Sequence, residues 1–181
     1  AALSLGPEWL SGVVKVRARL GQLSDAERVA ALIASAVGNA VGDTSINRNV
    51  GADQGHLDLA RGEIELARGR GEQAATLFAA AAARLIPIDV LESQAQALVA
   101  AGRAEEAAFR YEELLALAPF GMEEQEDGVR AFVALGGIYE KLGRVDAARG
   151  VYERLIAQWS NGDDNLVLLK QARARLKAIA G

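Results

Sequence analysis

The chain has 181 residues, 51% of them apolar, a formal net charge of −4 and no cysteine. That size allows a sizeable core, and the lack of cysteine removes disulfides, thiolate catalysis and zinc–cysteine sites. No apolar run reaches the roughly 18 residues of a membrane span, and the net negative charge gives no reason to expect a nucleic-acid partner.

Alanine dominates, only three prolines occur, and no alternating strand pattern is present, so the expected class is all-α. In chain order, a first helical hairpin is expected over residues 7–37, marked by Leu10, Gly21 and Ala26, with Ala30 where later copies have an aromatic. Gly38 to Gly51, GNAVGDTSINRNVG, is loop chemistry. A second hairpin, 52–86, carries Gly62, Gly69 and Ala74-x₃-Phe78, followed by Pro87. A third, 88–118, carries Ala95, Gly102 and Ala107-x₃-Tyr111, followed by Pro119. In PFGMEEQEDG, Pro119 to Gly128, the acids Glu123, Glu124, Glu126 and Asp127 suit a helix start and extend the next helix N-terminally. The fourth hairpin, 123–159, holds Phe132, Leu135, Gly136, Tyr139, Gly143, Ala148 and Tyr152. A capping helix over 164–180 has Leu166, Leu169, Leu176 and Ile179 on one stripe, with Asp163, Asp164 or Asn165 as N-cap. Trp159 is expected to anchor the preceding turn against Tyr152 or Leu155.

These are copies of one unit. In three of them a small residue (Gly62, Ala95, Gly136) stands seven positions before the turn glycine (Gly69, Gly102, Gly143). A small residue lets the first helix approach the second, whose aromatic fills the groove between them. The turn glycine accepts a left-handed backbone, and the proline after the second helix stops it. The turn glycines from Gly21 to Gly143 are 48, 33 and 41 residues apart. Against a repeat of about 34 residues, this leaves about fourteen extra between hairpins one and two and about seven between three and four.

Signals for chemistry are weak. His56 is the only histidine; a histidine-based triad would have to be built on it. There is no G-x-S-x-G elbow and no phosphate-binding G-x-x-x-x-G-K-[ST] loop. Gly69-Arg70-Gly71 reads as a joint between two helices. The cluster Glu123, Glu124, Glu126, Asp127 lacks the alternating pattern of a calcium loop and reads as a solvated first turn. Glu105–Glu106 and Glu112–Glu113 read as solubility and intrahelical pairs beside Arg103 and Arg110. Lys170, Arg173, Arg175 and Lys177 read as the solvated face of the last helix. No cofactor or metal is expected, and an enzyme is the least favoured class.

FVALGGIYEKLGRVDAARGVY, Phe132 to Tyr152, resembles the tetratricopeptide repeat (TPR): aromatic-x₂-Leu-Gly-x₂-Tyr, then Ala-x₃-aromatic, with Phe132 in place of the usual Trp. The resemblance implies a right-handed solenoid of about four hairpins in a single domain over 1–181, and a protein- or peptide-binding role. Groove-facing positions carried over from the TPR are His56, Leu59, Glu63, Leu66 and Ala67 in hairpin two. Hairpin three offers Asp89, Glu92, Gln96, Val99 and Ala100, and hairpin four offers Arg130, Val133, Gly137, Glu140 and Lys141. Hairpin one, the least clear copy, offers Glu8, Ser11, Lys15, Ala18 and Arg19. This groove suits an extended or helical peptide with an apolar strip and some basic residues. The Lys/Asn carboxylate clamp of chaperone-binding TPRs is absent, and Asp89 and Glu92 oppose such a ligand.

From Phe132 onward the chain also resembles the C-terminal TPR region of bacterial multidomain serine/threonine protein kinases and related signalling regulators. The features are Leu135 to Glu140, Ala148 to Tyr152, Trp159, Asp163–Asp164 and the basic Ala172 to Leu176, while Asp164-Asn165 departs from the usual Asp-Pro. This implies a regulatory or docking piece of a larger bacterial signalling protein, in keeping with a chain that starts at Ala1 without Met or a signal pattern. A kinase or other signalling domain on the same chain would be a partner. Alternatives are a self-association module, as a homodimer, and a small-molecule or lipid sensor with the 38–51 loop over an apolar cavity near Leu59 and Leu66. The compartment stays open between cytoplasm and the extracytoplasmic part of an anchored protein.

Overall fold

The computed structural model describes residues 5–40, 49–117, 125–159 and 166–179. Among these there are nine α-helices and no strand. They are α1 (Pro7–Arg19), α2 (Leu23–Ala40), α3 (Val50–Ala67), α4 (Gly71–Ala82), α5 (Ile88–Ala100), α6 (Ala104–Leu117), α7 (Gln125–Lys141), α8 (Val145–Gln158) and α9 (Val167–Ile179). The chain forms two compact units, Ala1–Arg103 and Ala104–Gly181.

The turns after α1, α3, α5 and α7 share one construction. Gly21, Gly69, Gly102 and Gly143 have φ of 73°, 75°, 77° and 72°. Each closes the preceding helix through its own N–H and that of the next residue. At Gly69, the Gly69 N–H donates to Leu66 C=O at 2.9 Å and the Arg70 N–H to Glu65 C=O at 2.9 Å. Side chains rarely adopt this conformation, so Gly69→Ala should lower unfolding free energy by about 1–2 kcal/mol. Chemical denaturation should show the loss as a lower midpoint with an unchanged slope.

In unit 1, α1 packs on α2 and α3, and α3 on α4. One apolar cluster joins Val14 and Ala18 of α1, Ile33 and Val37 of α2, and Leu57 and Ile64 of α3. A second joins Leu59, Ala74, Phe78, Ala81, Val90 and Ala97. Gly62 lies under the Phe78 ring: a Cβ there would sit 2.5 Å from Phe78 Cε1. At Gly71 a Cβ would meet the Ala101 backbone nitrogen at 2.5 Å, so the second glycine of Gly69-Arg70-Gly71 answers to helix packing. In hairpin one Ala26 and Ala30 are buried, and Ile33 is fully buried beside them.

In unit 2, α6 packs on α7, α7 on α8, and α8 on α9. Gly136 sits under the Tyr152 ring, which a Cβ would strike, as the fourth hairpin predicts. Leu169 and Ala172 are the buried residues of α9.

Several boundaries differ from expectation. Gly38 lies within α2 and Gly51 within α3, so the expected 38–51 loop narrows at both ends; residues 41–48 are outside the described residues. Asn49 caps α3, its side chain accepting from the Ala52 N–H at 3.2 Å. Pro87 does not terminate α4, which ends at Ala82; it is the N-cap residue of α5. Leu166 precedes α9 and is exposed, while Leu169 is buried and Leu176 and Ile179 are half-buried. Pro119, the carboxylates Glu123 and Glu124, and the proposed caps Asp163, Asp164 and Asn165 lie outside the described residues.

Candidate functional site

In unit 1 the first helices of successive hairpins bring their predicted groove positions together. Ser11 Oγ lies 3.2 Å from His56 Nδ1 and donates to Glu8 C=O at 2.7 Å. Lys15 Nζ donates to Glu92 Oε2 at 3.0 Å. Arg19 reaches the same oxygen at 3.2 Å, Gln96 Oε1 at 3.3 Å and Glu63 Oε2 at 3.6 Å. Glu63 also accepts from Ser93 Oγ at 2.5 Å, and Gln96 Nε2 donates to Glu92 Oε1 at 3.1 Å.

Glu63 and Glu92 are buried, at 1% and 3% exposure. A buried carboxylate is tolerated only when paired and hydrogen-bonded, and Lys15 and Arg19 supply the pairing. Burial pulls the Arg19 pKa down, but the charges of Glu63 and Glu92 outweigh it and hold it above its ordinary value. The acidic lining expected at these two positions is therefore neutralised from within the chain. Leu59 is buried as well, and Leu66 packs half-buried against the same cluster. Asp89 and Val99 are exposed, and His56 and Gln96 are half-buried.

In unit 2, Glu140 of α7 is engaged. It accepts from Tyr152 Oη at 2.7 Å and from Arg175 Nε at 3.1 Å. Arg175 is exposed, as expected, and also forms an ion pair with Glu140. Arg130 and Val133 are half-buried and Lys141 is exposed. Arg110 pairs with Glu113 within α6, as expected. Glu105 and Glu112 instead leave their helix: Glu105 bonds Arg144 at 2.9 Å, and Glu112 accepts from the Tyr139 hydroxyl.

Two tyrosines are displaced from their ordinary pKa of 10.0. Burial first, then the hydrogen bond to Glu112, pushes Tyr139 up to about 12. Burial and the bond to Glu140 do the same to Tyr152. The unfolded chain releases these protons near pH 10, while the folded chain keeps them. Stability from both is thus complete below pH 10 and is lost as pH rises toward about 12. Absorbance of the tyrosinate band should show both groups ionising late or together with unfolding, and Tyr152→Phe should flatten the alkaline loss.

Among the described residues no group of three His, Cys, Asp or Glu could hold a metal, and no helix is long and apolar enough to cross a membrane. The cations Lys15 and Arg19 were placed in the weakest-aligned copy by sequence; their role emerges only with α1 laid beside α3 and α5.

No protein-family model matches the chain, and no curated protein matches it. Solved structures do. A putative kinesin light chain from Podosopora anserina, with nearly identical TPR-like repeats, superposes with a TM-score of 0.64. The identity is 16%, over 95% of this chain and 84% of that one. A point variant of the same protein gives 0.65 at the same identity and coverage. The fold is thus all-α and of the TPR-like repeat type.

Proposed function

We propose that this chain is a non-catalytic protein- or peptide-binding module. In this reading it is a regulatory or docking part of a larger bacterial signalling protein, and it binds through the groove-facing sides of its first helices. The observation that supports it is the meeting of Ser11 with His56, Lys15 with Glu92, and Arg19 with Glu63, Glu92 and Gln96. Those contacts join residues of three successive first helices, α1, α3 and α5, within unit 1. Because Glu63 and Glu92 are buried, the contact surface in unit 1 centres on the exposed positions Val99 and Asp89, flanked by the half-buried His56, Leu66 and Gln96. In unit 2 the corresponding positions are Arg130, Val133 and Lys141. The ligand is an extended or helical peptide with an apolar strip set against Val99 and some basic residues.

The test is selection from a displayed random-peptide library, followed by affinity measurement on the recovered consensus. Val99→Lys should weaken binding about tenfold or more without lowering the melting temperature, because Val99 is exposed and a cation suits the last turn of α5. Undiminished affinity in that variant removes the face. A library that yields no consensus removes the peptide-binding reading.

A further inference from the structure

Ser11 of α1 is only 3% exposed, and a buried hydroxyl needs its hydrogen bonds met inside the protein. Its single proton goes to the Glu8 C=O at 2.7 Å, one turn back along α1. A carbonyl oxygen accepts and never donates, so the direction of this bond is fixed. The Ser11 oxygen therefore meets His56 Nδ1, 3.2 Å away, as an acceptor, and Nδ1 must carry a proton. In the opposite tautomer two lone pairs would face each other. A neutral imidazole has one ring proton, so Nε2 is bare. His56 is half-buried; among the described residues Nε2 has no protein partner, yet it is not sealed from solvent.

We infer that Ser11 holds His56 in its Nδ1–H form, and that Nε2 is a hydrogen-bond acceptor for an N–H group of the bound peptide. No group of three His, Cys, Asp or Glu that could hold a metal occurs among the described residues, so a donor N–H is the complement of this lone pair. The inference rests on the peptide-binding reading above and deepens it. That reading gives the ligand some basic residues; one of them, a Lys or Arg, supplies the donor at His56. Ser11 is a positioning residue, buried and acting through the ring. Fixing the tautomer in advance favours binding, because a ring free to exchange would hold only part of its population in the competent form.

His56 is the only histidine, so long-range proton–nitrogen NMR of the free chain reads its ring nitrogens without ambiguity. The neutral ring should show Nδ1 protonated and Nε2 bare, and in Ser11→Ala the proton should redistribute between them. A wild-type proton on Nε2 overturns the role of Ser11, whatever the chain binds. The ligand half uses the consensus peptide from the library selection, which should carry a Lys or Arg at one fixed position. Changing that residue to Met should weaken binding to the wild type about tenfold, as should His56→Phe with the parent peptide. The Met peptide should lose nothing further on His56→Phe. His56→Gln, which keeps an acceptor oxygen near the Nε2 position, should recover most of the loss. Ser11→Ala should weaken binding about two- to fivefold, in step with the bare-Nε2 fraction lost in the spectrum. Full affinity in His56→Phe, or additive losses with the Met peptide, overturns the contact; if Val99→Lys still weakens binding, the groove stands without it. A library with no consensus removes the peptide-binding reading and the contact together, while the spectrum still decides the tautomer.

Discussion

Phe78→Ala will destabilise unit 1 by about 3–5 kcal/mol, the usual cost of emptying a fully buried aromatic site. The ring has no exposed surface and lies in the cluster with Leu59, Ala74, Ala81, Val90 and Ala97. Collapse around the vacated site is limited on the side of Gly62, which lies against the ring and has no side chain to move into it. The pairing gives the prediction a second arm. Gly62→Ala alone drives a Cβ into the ring and should cost about 1–3 kcal/mol, as overpacking does. Placed in the Phe78→Ala background it should cost far less or stabilise, because the obstruction is gone and alanine is the better helix former. Urea denaturation of the four proteins in the cycle measures this coupling. Additive losses would show that Gly62 and Phe78 do not form one packing unit.

Glu92→Lys will have an effect of similar size. The substitution removes the carboxylate that accepts from Lys15 at 3.0 Å and from Arg19 at 3.2 Å and puts a third cation among them. Breaking a buried pair costs about 3–5 kcal/mol. Lys15 and Arg19 keep some solvent contact, with side chains 25% and 32% exposed, which moves the expectation for charge removal alone to the lower end. Glu92→Gln should accordingly lose about 1–3 kcal/mol, since the amide keeps an acceptor in place. Adding Lys15→Glu to Glu92→Lys should recover part of the loss, and the recovery, read from denaturation midpoints, measures the direct coupling. Lost ligand binding in Glu92→Lys would report on folding as much as on contact, which is why the exposed Val99 carries the binding test.

The hairpins were legible because their determinants are local. A left-handed turn at Gly69 or Gly143 depends on the residue itself and on hydrogen bonds to carbonyls three and five positions back. A small residue facing an aromatic one hairpin arm away, as in Gly62 with Phe78 or Gly136 with Tyr152, repeats at a spacing that reading along the chain detects. Pro87 was assigned to the wrong side of its loop because proline suits a helix start as well as a stop. The 38–51 stretch looked like loop throughout because Gly38 and Gly51 carry turn composition; both are exposed positions inside α2 and α3, where a glycine costs a helix about 1 kcal/mol without ending it.

The candidate site divides along the same line. The TPR resemblance named Glu63 and Glu92 as groove positions but gave no measure of how deeply they would be buried. Their partners Lys15 and Arg19 lie 44 to 77 residues away in sequence, beyond any helical i,i+4 rule. Helix α1 has apolar residues on two sides, and how α2 and α3 pack on it decides that Val14 and Ala18 are buried while Trp9, Val13 and Val16 stay exposed. By itself, then, the sequence determined the repeat, its turns and the close approaches that glycine permits, because each depends on neighbours along the chain. Only the tertiary structure decided which carboxylates are neutralised and which apolar face of α1 is exposed, because desolvation and charge pairing depend on neighbours in space.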